Sequence, residues 1–203
     1  MRASSRSEEF QIGRTSVLPG LLKSLACNGA AAKGAGLTLF EVTDVMLLDA
    51  ASDVGARNER RLAVLYTGPT GGFEVVHGLI DRVMALLEVP VRPYTWEAAA
   101  GGGGGGAGAG IDPFGKHGMR YFVEPTDATP TFFNGRGANI VLERRGGERS
   151  VVGSVGVLHP QVLKNFELSF PTSVAEITIE PFVIYHSWAP RMDVAGRWIP
   201  PAE

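Results

Sequence analysis

The stretch LTLFEVTDVMLLDAASDVGARNERRLAVLYTG, residues 37–68, contains two strand-like runs and decides the fold. Residues 37–49 are rich in branched and aromatic side chains, which is typical of a long strand. Residues 60–68 form a second such run, and it ends at a Gly-Pro turn signal. We predict two strands here, and the short connection between them favours antiparallel pairing.

Two amphipathic segments flank this pair of strands. Within residues 14–32, Pro19 is tolerated only in a first helical turn, so we expect the helix to begin at about Val17 or Leu18. Its apolar stripe has the i, i+3, i+4, i+7 spacing of one helix face and consists of Leu18, Leu21, Leu22 and Leu25. Residues 73–89 predict a second helix, whose buried stripe is Phe73, Val76, Ile80, Val83 and Leu87.

The second half of the chain adds more strands and one short helix. We expect strands at 92–99, 119–125, 137–145, 151–158 and 173–185, and a helix at 160–167. The total of about six or seven strands and three helices, with short turns between strands, indicates an α+β fold. We predict a largely antiparallel sheet flanked by helices.

The chain of 203 residues has the length of one large domain or two small ones. We assign a polar N-terminal segment to residues 1–13 and a single core module to residues 14–185. The run GGGGGGAGAG at 101–110 is of low complexity, so we expect a flexible insertion over 100–118. Residues 186–203 show no hydrophobic period and predict an irregular tail.

Charge and cysteine content limit the classes of function. A net charge of −2 gives no overall attraction to nucleic acid, so the chain is not a stand-alone nucleic-acid binder by charge. The single cysteine, Cys27, excludes an intramolecular disulfide and fits a reducing compartment. There is no apolar run long enough to span a membrane and no secretory leader, so we expect a cytosolic protein.

Few residues form a local pattern that chemistry could use. The four histidines show no metal-ligand spacing, and we predict neither a metal site nor a catalytic residue. His77 could bond to Asp81 one turn on, but no nucleophile accompanies them, so a packed or interface histidine is favoured. Cys27 is expected to be a buried, inert thiol. Glu41 is compatible both with a substrate-binding carboxylate and with a solvent-facing or cross-strand-paired acid.

The stretch VGSVGVLHPQVLKNFEL, residues 152–168, joins a strand to a helix. Gly153 and Gly156 suggest a bulge or a close backbone approach. Pro160 fits the first helical position, where its missing N–H costs nothing. We therefore predict that His159 and Pro160 form a structural turn, with the His159 side chain holding a local hydrogen bond.

Four segments, in order, resemble one known family. They are RTSVLPGLLKSL, LFEVTDVMLLD with DVGARNERRLAVLY, GFEVVHGLIDRVMALLEV and VGSVGVLHPQVLKNFELSFPTSVAEITIEPFV. Together they are similar to the C-terminal, catalytic-like part of the phenylalanine–tRNA ligase beta subunit of the archaeal and eukaryotic cytosolic type. The resemblance spans roughly residues 8–184 and implies a class II aminoacyl-tRNA synthetase-like module, with an antiparallel sheet flanked by helices.

The resemblance also implies a partner. In that family the alpha subunit binds ATP and phenylalanine, and the two subunits form an (αβ)2 heterotetramer that engages tRNA. The helix LPGLLKSL matches the position of motif 1, which builds the interface between subunits. The residues that the resemblance assigns to this interface are Arg14, Leu18, Leu21, Leu22 and Leu25.

Two departures from active class II modules argue against catalysis. An active motif 2 carries an arginine two residues before its glutamate, whereas Leu39 precedes Glu41. The arginine of motif 3 is also missing, since His159 and Pro160 stand where that segment turns into its helix. We expect a non-catalytic assembly module without a cofactor of its own, in an enzyme that uses ATP and magnesium. The alternatives are a free-standing interaction or tRNA-binding module and an independent adenylating paralogue.

Overall fold

The computed structural model describes residues 12–29, 36–92 and 113–182, and the backbone of residues 191–192 and 198–199. In these ranges the chain forms three α-helices and a six-stranded sheet. The helices are α1 (Leu18–Cys27), α2 (Phe73–Leu86) and α3 (Pro160–Asn165). The strands are β1 (Leu37–Leu48), β2 (Ala56–Thr67), β3 (Met119–Pro125), β4 (Phe132–Arg144), β5 (Arg149–Leu158) and β6 (Thr172–Thr178).

The sheet is antiparallel throughout, in the order β1-β2-β6-β5-β4-β3. The β1–β2 hairpin pairs over its whole length, from Leu37 opposite Thr67 to Leu48 opposite Ala56. The last strand, β6, lies between β2 and β5 and so joins the two halves of the chain. The predicted α+β architecture, an antiparallel sheet flanked by helices, is confirmed.

Each face of the sheet carries its own hydrophobic core, because side chains alternate along every strand. Helix α2 covers one face, where Val76, Ile80 and Met84 pack on β2, β4, β5 and β6. Helices α1 and α3 cover part of the other face, where Leu21, Leu22 and Leu25 of α1 contact residues of β1, β2, β5 and β6. The short central strand β6 is buried at six of its seven positions and therefore contributes to both cores.

The predicted elements agree closely with the structure, and the differences have local causes. The last strand was expected to reach residue 185, but β6 ends at Thr178 and a 3₁₀ turn follows at Glu180–Phe182. Pro181 lacks the backbone N–H that a further ladder bond requires. Strand β2 begins at Ala56 rather than at residue 60, because its polar start pairs with the end of β1.

Gly153 shows why strand β5 requires glycines. A Cβ at this position would lie 2.3 Å from the carbonyl oxygen of Glu176 on β6. The partner register of β4 and β5 also shifts beside it, between Ile140 and Val141. The bulge and close approach expected from the sequence are therefore both present.

Other expectations lie at the margins of the described ranges. The strand expected at 92–99 and residues 100–112 of the glycine-rich insertion lie outside the described residues. Residues 113–118 are described, and a Cβ on Gly115 would lie 2.1 Å from the Glu88 carbonyl oxygen. In the tail, Arg191–Met192 pairs with Trp198–Ile199 in a two-stranded antiparallel ladder, and the rest of 183–203 is not described.

No helix within the described ranges is long and apolar enough to cross a membrane.

Candidate functional site

The leucines of α1, which the resemblance assigned to a subunit interface, lie in the core of this chain. Leu21, Leu22 and Leu25 are 5%, 3% and 1% exposed, and they pack against Val45, Ala63, Leu65 and Val174. Leu18 is half-buried at the edge of the same cluster. The interface role of these residues stays a prediction, but three of the four side chains already have partners within the chain.

Arg14, the fifth residue assigned to the interface, fixes the N-terminal segment on the edge of β1. Its carbonyl oxygen accepts a hydrogen bond of 2.9 Å from the Met46 backbone N–H. Its guanidinium donates to the Asp44 carbonyl oxygen at 3.1 Å, to a carboxylate oxygen of Glu41 at 3.1 Å and to the Thr43 hydroxyl. Through these contacts of Arg14, the N-terminal segment covers part of the edge of strand β1.

A buried network of carboxylates and arginines holds the next residues of this segment. Glu176 on β6 accepts from the Ser16 hydroxyl at 2.6 Å, from the Val17 backbone N–H at 3.1 Å and from Arg61 Nη1 at 3.1 Å. Glu59 accepts from Arg61 Nε at 2.8 Å and from Arg57 Nη2 at 2.8 Å. Both carboxylates are 8% exposed. This anchoring network therefore ties β2, β6 and the start of α1 together.

The ionisation of the network follows from its contacts. Burial opposes ionisation of Glu59, but the hydrogen bonds from Arg61 and Arg57 outweigh it and hold the pKa of Glu59 below its ordinary value. Burial likewise opposes the charged form of Arg61, and its bonds to Glu59 and Glu176 outweigh that and raise its pKa. Both groups are thus charged at neutral pH and already paired. A cleft of about 310 Å³ lies beside them, and Ser154 and Thr178 also line it.

Leu39 and Glu41, which the resemblance assigns to motif 2, both lie on β1. Leu39 lies on the α1 face of β1 and packs against the core beneath α1. Glu41, two residues on, pairs with Arg14. Arg14 belongs to the N-terminal segment, and the residue opposite Glu41 on β2 is Ala63, so this ion pair does not join the two strands. Of the two interpretations of Glu41, the structure contains a paired acid on a half-exposed strand edge.

His159 is the N-cap of α3, and Pro160 is the first residue of that helix. The backbone of His159 is extended, and its Nδ1 accepts a hydrogen bond of 3.1 Å from the Gln161 backbone N–H. The backbone N–H of His159 donates to the Thr131 carbonyl oxygen at 2.9 Å, and its ring centroid lies 6.2 Å from that of Phe133. Capping by a side-chain acceptor satisfies one of the orphan donors at a helix start.

His77, Asp81 and Tyr121 form a second polar cluster and line a cleft of about 610 Å³. The His77–Asp81 contact expected from the sequence is present, with 3.3 Å between Nδ1 and Oδ2. The Tyr121 hydroxyl donates to Asp81 Oδ1 at 2.6 Å, and burial and this carboxylate raise the pKa of Tyr121. The residues that line the described part of the cleft include no serine, threonine, cysteine or lysine. The cluster links α2 to β3, and we assign it no catalytic step.

Cys27 is exposed, so the expectation of a buried thiol is wrong. It follows the buried Leu25 by two residues, which is about 200° around a helix with 3.6 residues per turn. Among the residues that the structure describes, no three His, Cys, Asp or Glu side chains are grouped as metal ligands.

The sequence analysis did not identify an apolar surface on β1. Phe40, Val42 and Met46 are 72%, 52% and 50% exposed on the sheet face opposite α1. Of the described helices, α2 covers the centre of that face, and its half-exposed Val75 lines a cleft together with Thr38 of β1. An alternation of apolar and polar residues along β1 would have been the signal, but the set of side chains on the α1 face is also mostly apolar, with Leu37, Leu39, Val45 and Leu47.

Comparison with known proteins gives the same family in two ways. A family described as the phenylalanyl tRNA synthetase beta chain CLM domain matches residues 3–179. The chain is 45% identical over 175 residues to a phenylalanine–tRNA ligase beta subunit of Drosophila melanogaster and 40% identical over 181 residues to that of Mus musculus. It is 37% identical over 175 residues to an Arabidopsis thaliana relative whose name adds "cytoplasmic".

These alignments cover 86%, 89% and 86% of the chain, and 25%, 26% and 26% of the three relatives. The chain therefore spans about a quarter of the length of the curated relatives that it matches. The description of the matching family names a CLM domain and gives no position within the beta chain, so the expected C-terminal placement is not supported. On the strength of a match over residues 3–179, the chain belongs to the phenylalanyl tRNA synthetase beta chain CLM domain family.

Proposed function

We propose that this chain is a non-catalytic assembly module of a phenylalanine–tRNA ligase beta subunit. It supports an alpha subunit that attaches phenylalanine to its tRNA with the use of ATP and magnesium. We place it in the cytoplasm, within an (αβ)2 heterotetramer that engages tRNA through the whole complex. The relatives are named beta subunits, and one of them is named cytoplasmic.

The observation that carries the non-catalytic role is the position of Leu39. Adenylation requires preorganised donors for phosphate oxygens, and a leucine that packs in the core beneath α1 supplies none. Arg61, a partly buried arginine on the same face of the sheet, already donates to Glu59, to Glu176 and to the Thr15 carbonyl oxygen. His159, at the motif 3 position, caps a helix with the nitrogen that faces it.

The architecture is compatible with a class II synthetase-like, catalytic-like module, and we propose this finer classification. An antiparallel sheet with a helix on each face is what such a module requires. On the resemblance, the strand–turn–helix of β5 and α3 would correspond to motif 3 and the β1–β2 hairpin to motif 2.

For the contact with the alpha subunit, we propose the exposed apolar surface of β1 at Phe40, Val42 and Met46. An apolar patch at a sheet edge is typical of a protein interface. The α1 leucines are less suited to this contact, because Leu21, Leu22 and Leu25 are buried in the chain itself.

Co-expression with the alpha subunit of the same organism, followed by size-exclusion chromatography with light scattering, tests the proposal. We expect a complex with the wild-type chain. Its formation should be lost or strongly reduced with Phe40→Ser/Val42→Ser, and the variant should keep its far-UV circular dichroism. Leu86→Ser is the control, since Leu86 is 69% exposed on α2, away from β1. If two folded partners do not associate, the assembly role is wrong.

The alternative of an independent adenylating enzyme has its own assay. The isolated chain should show no pyrophosphate exchange with phenylalanine and ATP, because it lacks the phosphate-binding arginines. Exchange that is abolished by Glu41→Gln would instead favour an enzyme.

A further inference from the structure

Four arginines and two phenylalanines form one surface at the β3 edge of the sheet. We call it the arginine–phenylalanine surface, and it consists of Arg92, Arg120, Arg145, Arg149, Phe114 and Phe122. Its residues come from the segment after α2, the segment before β3, β3 itself, the β4–β5 turn and β5. They lie far apart in the sequence. The antiparallel register of β3, β4 and β5 brings Arg120, Phe122 and Arg149 together, and the backbone N–H of Arg92 donates to the Tyr121 carbonyl oxygen of β3 at 2.7 Å.

The register places the central charges in one row across three strands. Arg120 lies opposite Glu143, and Glu143 lies opposite Arg149. Glu143 is 5% exposed and accepts from Arg120 Nε at 2.6 Å and from Arg149 Nε at 3.1 Å. The bonds from Arg120 and then Arg149 hold the pKa of Glu143 below its ordinary value against the effect of burial. One buried carboxylate therefore orients two guanidinium groups.

The rings of Phe114 and Phe122 each lie close to two guanidinium groups. The guanidinium carbon of Arg92 lies 3.7 Å from the ring centroid of Phe122, and that of Arg149 lies 5.5 Å from it. Over Phe114, the corresponding distances are 4.3 Å for Arg120 and 5.8 Å for Arg145. Stacking on a ring restricts the orientation of a guanidinium plane. The face of the plane that points away from the ring stays available for stacking, and the N–H donors at its edge stay available for hydrogen bonds.

The local charge on this surface is positive although the chain as a whole is slightly acidic. Among the described residues of β3, β4 and β5, Arg120 and Arg149 lie near two carboxylates, those of Glu143 and of the exposed Glu124, which follows Phe122 by two residues on β3, and Arg92 adds a third cation. Arg144 and Glu148, on the neighbouring turn, pair with each other at 3.8 Å. The side chain of Arg149 is 56% exposed although it contacts Glu143. In the part of the surface that the structure describes, Arg92, Arg120 and Arg149 thus outnumber the carboxylates, and more than half of the Arg149 side chain is accessible to solvent.

We propose that the arginine–phenylalanine surface binds the phosphate backbone of a nucleic-acid strand. Planar guanidinium groups bind phosphate oxygens in a bidentate manner, and guanidinium planes held over rings offer stacking platforms for bases. An acidic peptide could pair with the guanidinium charges, but it has no bases to stack on the guanidinium planes. The arginines stacked on rings therefore favour nucleic acid as the ligand. This binding does not depend on the assembly role, since it requires neither the alpha subunit nor the β1 surface.

Fluorescence anisotropy with labelled single-stranded 20-nucleotide RNA and DNA of the same sequence tests the proposal on the 203-residue chain. We expect binding to at least one probe whose log K falls with log salt concentration with a slope of about −2 to −3, as three to four phosphate contacts predict. Comparison of the two probes distinguishes RNA from DNA, and binding to either supports the proposal.

The variant Arg92→Ala/Arg145→Ala leaves both partners of Glu143 in place. We expect it to bind about tenfold more weakly and to lower the salt slope by about 1 to 1.5. The matched control is Arg82→Ala/Arg136→Ala, which removes the same charge from two exposed arginines elsewhere and should change affinity less than twofold. If the double variant loses its circular dichroism signal, the single variants Arg92→Ala and Arg145→Ala are compared with the control singles.

Three results would overturn the proposal. The first is the absence of salt-dependent binding to both probes. The second is an equal loss of affinity in the control and in the surface variant, which would indicate attraction by overall charge. The third is equally effective competition by a 20-residue polyglutamate, which would identify the surface as a site for acidic peptides.

Discussion

The substitution Leu25→Ala distinguishes a core role of α1 from an interface role. Leu25 is 1% exposed in the chain alone and lies in the cluster with Val17, Val45 and Leu65. Truncation of a buried leucine to alanine removes transfer free energy and leaves a cavity, which together cost about 2–5 kcal/mol. For a domain of this size, that corresponds to a melting temperature lower by roughly 5–15 °C.

Urea unfolding of the isolated chain, followed by far-UV circular dichroism, measures this free energy. The matched control is Leu86→Ala, the same change in a helix at a position that is 69% exposed, and it should cost less than about 0.5 kcal/mol. If Leu25→Ala unfolds at the same urea concentration as Leu86→Ala, the packing of α1 on this sheet is wrong. Leu25 would then be available to a partner, as the resemblance implied.

Three further predictions concern single contacts. His159→Ala should lower stability by about 0.5–2 kcal/mol through loss of the α3 cap, and His159→Asn should restore most of it in thermal melts. Gly153→Ala should destabilise by about 1–3 kcal/mol, since its Cβ would lie 2.3 Å from the Glu176 carbonyl oxygen; unchanged unfolding would contradict the close approach of β5 and β6. The folded pKa values of Glu59 and Glu143 lie below their ordinary value of 4.5, so their contribution to stability is present above that pH and is lost as pH falls through the folded values. Melts between pH 7 and pH 3 should show this loss, and Glu59→Gln should reduce it.

The sequence predicts the elements of this fold well because hydrophobic periodicity is a local signal. Both strands of the 37–68 hairpin and the helix at 73 follow from the spacing of apolar residues. The same signal identifies the apolar stripe of α1 but not what covers it. A stripe of leucines is equally suited to the core of its own chain and to a partner subunit, and only the packing against β1 and β2 decides between them.

The charged clusters were beyond sequence reasoning for a different reason. Glu59 and Glu176 lie on strands that are far apart in the chain, and a lone acid on a strand normally indicates an exposed position. Their burial is possible only because Arg61 lies between them and Ser16 reaches Glu176 from the N-terminal segment. Such pairing depends on strand order, and the position of β6 between β2 and β5 does not follow from periodicity.

The two charged clusters on the α1 side of the sheet are suited to opposite tasks. Beneath α1, the donors of Arg61 are directed at carboxylates and a carbonyl oxygen of its own chain, so a phosphate would have to displace contacts that hold α1 in place. At the β3 edge, Arg120 and Arg149 share one carboxylate, and Arg92 lies over an aromatic ring, so an added anion completes contacts instead of breaking them. A net charge near zero averages over both regions, which is why it does not report the cationic surface. The absence of nucleotide chemistry that we expect at Leu39 and His159 is therefore compatible with the phosphate recognition that we propose elsewhere on the same sheet.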